Sequence, residues 1–251
     1  MKAAIMNKVR LLNTQVNNIS MQEAVQAVEK LIGEKRSAYI VAVNVDVLIK
    51  IEKDPVLKEI AEKADLMLAD GKPLIWISRM QGLPIREKIS GSDLVPELCR
   101  MAAEKGYTVF ILGGKDGVAE RAKQRLEQEY PAIRISGVYA PPLGFETDPR
   151  ELEAVNTRIS QAAPDLLIVC LGCPKQEKFI WENRERYHSA VSVCAGATVD
   201  FLAGDVRRAP QWMSRHGLEW FYRFLQEPKR LFRRYFIDDL KVLKLIVKYR
   251  K

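Results

Sequence analysis

Two polar residues stand where apolar, strand-like runs of this 251-residue chain end. Asn44 follows the run 38–43, and Asp70 closes the run 65–70 immediately before Gly71. Because ligands of open α/β sheets bind beyond the carboxyl ends of the strands, both side chains are expected at a ligand-binding edge. An Asp-Gly pair is also a common turn at a strand end, and this alternative stays open.

Three later strand ends carry further candidate binding residues. Gly113 and Gly114 lead into a helix start, where free amide groups favour anions, although these glycines could equally permit close strand–helix packing. Gln176 lies in the first turn of a predicted helix and could face either the ligand edge or solvent. Asp200 follows another strand end, and it could cap a helix or contact a ligand.

The C-terminal tail is strongly basic and aromatic. Residues 207–251 contain 13 Lys and Arg against 4 Asp and Glu, whereas residues 1–206 contain 27 against 28. In the stretch 217–236, arginines are interleaved with Trp, Tyr and Phe. Such a segment could bind nucleic acid, lie on a membrane, or supply cations to a phosphate-bearing substrate.

The last predicted helix has an apolar stripe and a basic face. The stripe comprises Phe236, Leu240, Leu243 and Val247, and lysines occupy the opposite side. A basic amphipathic helix of this kind is typical of membrane surfaces. A helix docked on its own domain, with a solvated basic face, is the alternative.

The elements that would position these residues alternate along the chain. Runs rich in Val, Ile and Leu predict strands over 38–43, 65–70, 107–112, 132–138, 165–171 and 190–195. Their continuous apolarity is typical of parallel strands covered on both faces. Helices are predicted between them, with a capping box from Ser20 to Glu23 and an N-cap at Asp148. We expect an α/β fold: a Rossmann-like, mostly parallel sheet with helices on both faces over 1–205, and a basic helical appendage over 206–251.

Composition and missing motifs exclude several classes of protein. A content of 47% hydrophobic and 29% charged residues is ordinary for a globular protein, and four cysteines do not form a disulfide scaffold. Without a signal peptide or a membrane-spanning run, we expect a cytoplasmic location. Two histidines and no G-x-S-x-G motif argue against a Ser-His-Asp hydrolase. Since no two aspartates are spaced as D-x-D, a departing diphosphate would need Arg and Lys.

Longer strings resemble the WecG/TagA/CpsF family of bacterial glycosyltransferases. They are "LGCPKQEKFI", "GATVDFLAGDVRRAPQWM", "GLEWFYRFLQEPKRLFRRY", "ADLMLADG" and "KISGSDL", and they fall between about residues 38 and 236. The resemblance implies an inverting, metal-independent transfer from a UDP-sugar, such as UDP-N-acetylmannosamine, to a polyprenyl-diphosphate-linked sugar in cell-wall or surface polysaccharide synthesis. It implies no cofactor beyond this co-substrate. The enzyme would sit peripherally on anionic lipid at the inner face of the cell membrane, without nucleic acid, and a homo-oligomer would be compatible.

Family roles fall on particular positions of this sequence. By resemblance, Asp70 would be the general base and Asn44 would lie near the donor sugar. Gln176 and Asp200 would line the nucleotide-sugar pocket. The arginines assigned to diphosphate binding are Arg223, Arg230 and Arg233.

Two positions depart from the family pattern. Lys88 stands where an Arg commonly precedes the G-x-D-L motif, so the charge is kept but the planar fork is lost. Ala42 stands where Thr is common, which removes a hydroxyl group. Both departures affect the expected identity of the donor sugar more than the expected class of reaction.

Two other functions compete with this interpretation. A nucleic-acid-binding module would use the Arg and aromatic residues of the tail, but no RRM, KH or helix-turn-helix signature is present. A nicotinamide-dependent oxidoreductase would fit the α/β pattern, but its G-x-G-x-x-G fingerprint is missing.

Overall fold

The computed structural model describes residues 7–250, and a parallel sheet lies at the centre of the fold. An antiparallel hairpin, β1 (Lys8–Leu11) and β2 (Thr14–Asn17), precedes this sheet. The sheet strands are β3 (Ala38–Val43), β4 (Leu66–Ala69), β5 (Thr108–Gly113), β6 (Arg134–Tyr139), β7 (Leu166–Cys170) and β8 (Val191–Cys194). Their order is β4-β3-β8-β7-β5-β6, and every neighbouring pair is parallel. The predicted α/β fold is confirmed, whereas the short hairpin was not predicted.

Helices cover both faces of the sheet. They are α1 (Met21–Glu34), α2 (Val45–Lys53), α3 (Pro55–Glu62), α4 (Lys72–Met80), α5 (Gly91–Lys105), α6 (Val118–Glu129), α7 (Pro149–Ala162), α8 (Lys175–Tyr187) and α9 (Thr198–Ala203). Consecutive strand residues enter opposite cores: Ile40 packs in the core with α1 and α5, and Tyr39 and Val41 pack in the core with α2 and α8. This two-sided burial explains why the strands read as continuous apolar runs.

The predicted helix starts are confirmed at two caps. The Ser20 hydroxyl accepts from the Glu23 amide at 3.3 Å, and the Glu23 carboxylate accepts from the Ser20 amide at 2.7 Å. Asp148 accepts from the amides of Arg150 and Glu151. These bonds satisfy amide groups that otherwise have no partner at a helix start.

The appendage consists of short helical segments. They are α10 (Gln211–Arg215), α11 (Glu219–Gln226), α12 (Pro228–Arg233), a π-helical turn (Arg234–Asp238), a 3₁₀ turn (Asp239–Lys241) and α13 (Val242–Lys248). The single long amphipathic helix expected here is therefore interrupted. In α13, Leu245 is 6% exposed and packs in the core, whereas Leu243 and Val247 are exposed. The part of the predicted apolar stripe that lies in α13 is thus exposed.

Polar contacts hold the appendage near both of its ends. At the start, the Lys88 ammonium group lies 3.2 Å from the Glu219 carboxylate. At the end, Glu52 accepts from the ammonium of Lys248 at 2.6 Å and from the hydroxyl of Tyr249 at 3.1 Å. Within residues 7–250, no helix has both the length and the apolar character needed to cross a bilayer.

Candidate functional site

Asn44 and Asp70 meet at the carboxyl edge of two paired strands. Asn44 caps α2 by accepting from the Val47 amide at 3.1 Å, and the Asp70 amide donates to the Val43 carbonyl at 2.7 Å. Because β3 and β4 are parallel neighbours, both side chains project from the same edge. The predicted edge position of both residues is confirmed.

The Asp70 carboxyl group has a perturbed pKa. Burial raises the pKa of Asp70 to about 6, and the carboxylates of Glu219 and Asp93 act in the same direction. The Lys88 ammonium and a hydrogen bond from Asn44 oppose the rise. A carboxylate with this pKa is mostly ionised at neutral pH and is a stronger base than an exposed aspartate, which suits proton abstraction.

Asp70 borders two adjoining cavities. A polar cavity of about 180 Å³ lies against the sheet edge and is lined by Gly172, Gln176 and Gly196. A second cavity of about 460 Å³ lies beneath the appendage. Both are lined by Asn44, Asp70, Ser92, Phe201, Arg223 and Arg234. A molecule in either cavity can therefore reach the Asp70 carboxyl group.

The two cavities differ in chemical character. The larger one has an apolar wall that comprises Val45, Pro73, Trp220, Tyr235, Phe236, Leu240 and Val242. Most of these residues belong to the appendage, so the appendage forms much of the cavity wall. The arrangement suits one polar ligand and one ligand with an apolar part, with Asp70 between them.

Three arginines of the appendage surround the shared region. Arg223 and Arg234 line both cavities, and Arg230 lines the polar one. The Arg223 guanidinium lies over the Phe201 ring at 5.3 Å. The Nε atoms of Arg223 and Arg234 are buried and have no hydrogen-bond partner within residues 7–250. The Arg223 Nε atom also lies 3.8 Å from the Glu227 carboxylate, and the Arg234 guanidinium lies 4.0 Å from Asp46. Buried guanidinium N–H groups without a hydrogen-bond partner favour an anionic ligand such as a diphosphate.

The assignment of Arg233 to this group needs correction. Its side chain is 82% exposed, lies 3.8 Å from Asp238 and lines neither cavity. Arg234 lines both cavities instead of Arg233. The side chains of two neighbouring helical residues point in directions about 100° apart, so only one of the two can face the cavities. The spacing from Arg230 could not identify Arg234, because residues three and four positions apart lie on the same side of a helix.

Gln176 is buried at the ligand edge, with 5% of its surface exposed. Its carbonyl oxygen accepts from the Gly196 amide at 3.0 Å, and its amide group donates to Glu177 at 2.8 Å. The alternative in which Gln176 faces solvent is therefore excluded. The side chain orders the backbone on one side of the polar cavity.

Asp200, Gly113 and Gly114 line neither cavity. Burial raises the pKa of Asp200, and the Arg230 charge opposes the rise, so Asp200 lies within electrostatic reach of a cavity residue. A Cβ atom on Gly113 would lie 2.4 Å from the Cys170 carbonyl oxygen. The glycines thus serve close packing, and their contact with substrate stays a prediction.

Lys88 lies within a cluster of carboxylates. Its ammonium group is 2.8 Å from Asp93 and 3.2 Å from Glu219, and it borders the larger cavity. Burial lowers the pKa of Lys88, but the negative charges of Asp93 and Glu219 raise it by more, so the pKa lies above its ordinary value. Lys88 therefore places a fixed cation near Asp70 and joins the appendage to the body.

Asp239 is another carboxyl group with a raised pKa, and the sequence did not indicate it as a site residue. Burial raises the pKa of Asp239 to about 6, with Arg234 opposing, and the residue lines the larger cavity. An acidic pair, Asp238-Asp239, inside a basic tail was the available signal.

Metal and disulfide sites have little support in the described chain. Within residues 7–250, no group of three or more His, Cys, Asp or Glu residues could hold a metal ion. All four cysteines are free, and burial raises the pKa of Cys170 to about 12. The C-x-x-C pair therefore lacks the thiolate character of a redox site.

Comparison with known proteins agrees with the resemblance of the motifs. A family model described as "Glycosyl transferase WecG/TagA/CpsF family" matches residues 9–251. A relative from Bacillus subtilis (strain 168) is 35% identical over 214 residues, which cover 85% of this chain and 81% of the relative. A relative from Bacillus spizizenii is 33% identical over 199 residues, covering 79% and 75%. Both are named N-acetylglucosaminyldiphosphoundecaprenol N-acetyl-beta-D-mannosaminyltransferase.

Proposed function

Because this chain belongs to the WecG/TagA/CpsF family of glycosyltransferases, we propose that it transfers N-acetylmannosamine, or a related hexose, from a UDP-sugar to a polyprenyl-diphosphate-linked N-acetylglucosamine. The names of both relatives describe a transfer to this kind of lipid-linked acceptor. One observation carries the proposal for this chain: Asp70 lies where a polar and an apolar cavity meet. A base at such a junction can act between two bound substrates.

The polar cavity is the proposed donor site. Its walls offer the ordered backbone around Gly196 and the guanidinium groups of Arg223, Arg230 and Arg234. Guanidinium groups bind phosphate oxygens in bidentate fashion, which suits the diphosphate of a UDP-sugar. The nucleotide extends along the strand ends, where α/β sheets bind such ligands.

The larger cavity is the proposed acceptor site. Its aromatic and aliphatic wall suits the first isoprene units of the lipid, and its cations Lys72, Arg207 and Arg223 suit the acceptor diphosphate. Because Asp70 lines this cavity, a terminal sugar bound there would lie beside the proposed base.

The proposed chemistry is a single displacement. Asp70 removes the proton from an acceptor hydroxyl group while that oxygen forms a bond to the anomeric carbon of the donor. The bond from this carbon to the diphosphate oxygen breaks on the opposite side, so the anomeric configuration inverts and UDP leaves. The arginines stabilise the charge that develops on UDP, and we assign this role to side chains rather than to a metal ion.

The proposed place of action is the inner surface of the cell membrane. The lipid-linked acceptor resides in a bilayer, and the appendage has exposed apolar side chains, including Phe232, Ile237 and Leu225. Thirteen basic residues in 207–251 would attract anionic lipid, each contributing about 1 kcal/mol when close to the surface.

The decisive experiment measures UDP release with a short-chain polyprenyl-diphosphate-GlcNAc acceptor, a panel of UDP-sugars and EDTA. We expect turnover with one donor and a loss of about 10²- to 10⁴-fold in kcat for Asp70→Asn, the usual contribution of a general base. Asp239→Asn is the matched control, because Asp239 lines one cavity only. If Asp239→Asn abolished turnover and Asp70→Asn did not, the base would be Asp239. Absence of UDP release from every donor would count against the proposed reaction.

A further inference from the structure

The hairpin that precedes the sheet contacts helix α2 through the turn between its two strands. In this turn, Asn13 is 8% exposed. Its side-chain amide donates to the Leu48 carbonyl at 3.0 Å and to Oε2 of Glu52 at 2.9 Å. Because Leu48 and Glu52 both belong to α2, Asn13 fixes the Glu52 carboxylate relative to this helix.

The same carboxylate binds the end of the appendage. Oε1 of Glu52 accepts from the Lys248 ammonium at 2.6 Å, and Oε2 accepts from the Tyr249 hydroxyl at 3.1 Å. Burial alone would raise the pKa of Glu52, but the hydrogen bonds from Lys248, Asn13 and Tyr249 outweigh burial, so the pKa lies below its ordinary value. Glu52 is therefore charged at neutral pH, and hydrogen bonds to a charged group are stronger than those between neutral groups.

A second polar bridge joins the hairpin turn to the appendage. Gln81 is the C-cap of α4, and its side-chain oxygen accepts from the Leu12 amide at 3.3 Å. The side-chain amide of Gln81 donates to the Tyr249 carbonyl at 3.4 Å. Leu12 and Asn13 are thus each connected to Tyr249 through one intermediate side chain. We call these polar residues the C-terminal clasp: Asn13, Glu52, Gln81, Lys248 and Tyr249.

Helix α2 connects the clasp to the candidate site. The N-cap of α2 is Asn44, which lines both cavities, and Asp46 in the first turn lies 4.0 Å from the Arg234 guanidinium. The segments that follow Arg234, the π-helical turn, the 3₁₀ turn and α13, are continuous, and α2 contacts the last two. The part of the appendage from Arg234 to Lys248 is therefore held against α2 near both of its ends.

We propose that Glu52 is a positioning residue: through Lys248 and Tyr249 it holds the appendage against α2, so that Arg234 lies in the region shared by the two cavities. The inference rests on the proposed function, because it treats Arg234 as a substrate-binding residue. It also gives the hairpin a role, which is to orient Glu52 through Asn13. Without the clasp, a smaller fraction of the molecules would have the appendage docked. A substrate that requires the docked form then binds more weakly in proportion to that fraction.

Hydrogen exchange of the full-length protein without substrate tests the clasp directly. Glu52→Ala removes the contacts with Asn13, Lys248 and Tyr249, whereas Glu52→Gln keeps an oxygen acceptor and removes only the charge. Glu59→Gln is the matched control, because Glu59 forms a 2.7 Å ion pair with Lys63 on the surface of the body. We expect the amides of residues 230–248 to exchange about tenfold faster in Glu52→Ala and less so in Glu52→Gln. The sheet strands in every variant, and the appendage in the control, should exchange as in the wild type.

Steady-state kinetics distinguishes a positioning residue from a residue that acts on the substrate. In Glu52→Ala, the KM values for the UDP-sugar and the lipid-linked acceptor should rise about three- to tenfold. The kcat should stay within about twofold of the wild type, because saturating substrates draw the appendage back to the docked form. Arg234→Ala should instead lower kcat, since saturation cannot replace a cation that acts in the transition state.

Two results would overturn the proposal. Faster exchange confined to residues 245–250, with unchanged exchange around Arg234, would mean that Glu52 holds only the chain end. A kcat of Glu52→Ala that stays low at saturating substrate would mean that Glu52 does more than position the appendage. Failure of the wild type to turn over would reject the proposed function, and the exchange measurement would still decide whether the clasp holds the segment that carries Arg234.

Discussion

Replacing Asp70 by asparagine should remove activity and at the same time stabilise the fold. Burial raises the pKa of Asp70 from 3.8 to about 6. A carboxyl group with a higher pKa in the folded state binds its proton more tightly there, so its contribution is favourable at low pH and is lost as the pH rises through about 6. The rise of about two units corresponds to about 3 kcal/mol at pH 7. Because asparagine carries no charge, Asp70→Asn should gain up to this amount at neutral pH.

Urea unfolding of both proteins at two pH values is the assay. At about pH 7 the variant should have the larger free energy of unfolding, and at about pH 4 the difference should shrink toward zero, because Asp70 is then protonated in the folded wild type. The kcat/KM of the wild type should fall as the pH drops below about 6, since the base becomes protonated.

Two results would refute this reasoning. A variant that is less stable than the wild type at neutral pH would mean that Lys88 and Asn44 stabilise the carboxylate by more than burial destabilises it. A wild-type activity that stays constant well below pH 6 would mean that Asp70 is not the group whose ionisation limits the reaction.

Further substitutions test the surroundings of Asp70. Arg234→Ala should lower kcat/KM by at least about tenfold, as expected for a charge-assisted contact to phosphate, whereas the exposed Arg233→Ala should stay near the wild type in the same UDP-release assay. Glu219→Gln removes a charge that raises the pKa of Asp70, so the acidic limb of the pH–rate profile should move to lower pH; a limb that stays in place would contradict this electrostatic effect of Glu219. Gly113→Ala should destabilise the fold by about 3 kcal/mol in thermal unfolding, because its Cβ would overlap the Cys170 carbonyl; a variant as stable as the wild type would show that the strands can separate.

The sequence predicted the features that depend on local patterns. The six sheet strands were found within about two residues of their bounds, because strands buried on both faces are continuous apolar runs. The meeting of Asn44 with Asp70 was predictable as well, since parallel neighbours carry their loops at one edge.

Features that depend on tertiary packing were not predictable in the same way. Whether Arg233 or Arg234 faces the cavities depends on a π-helical turn after α12, and no local pattern specified that turn. The outward direction of the α13 stripe follows from the burial of Leu245 against the body, which a helical wheel cannot indicate. Asp239 became a candidate only when its burial beside Arg234 was known.

The division of the site between body and appendage has a consequence for hydrolysis of the proposed donor, the side reaction in which water replaces the acceptor. The body supplies Asn44, Asp70 and Gln176, and the appendage supplies Arg223, Arg230 and Arg234. If the appendage swung away, Asp70 would meet bulk water and its pKa would return toward the ordinary value. In the proposed reaction, the leaving diphosphate would then lose its cations. A donor bound to the open form would then be protected from hydrolysis, because the parts that activate it are assembled only when the cavity that admits the acceptor is also assembled.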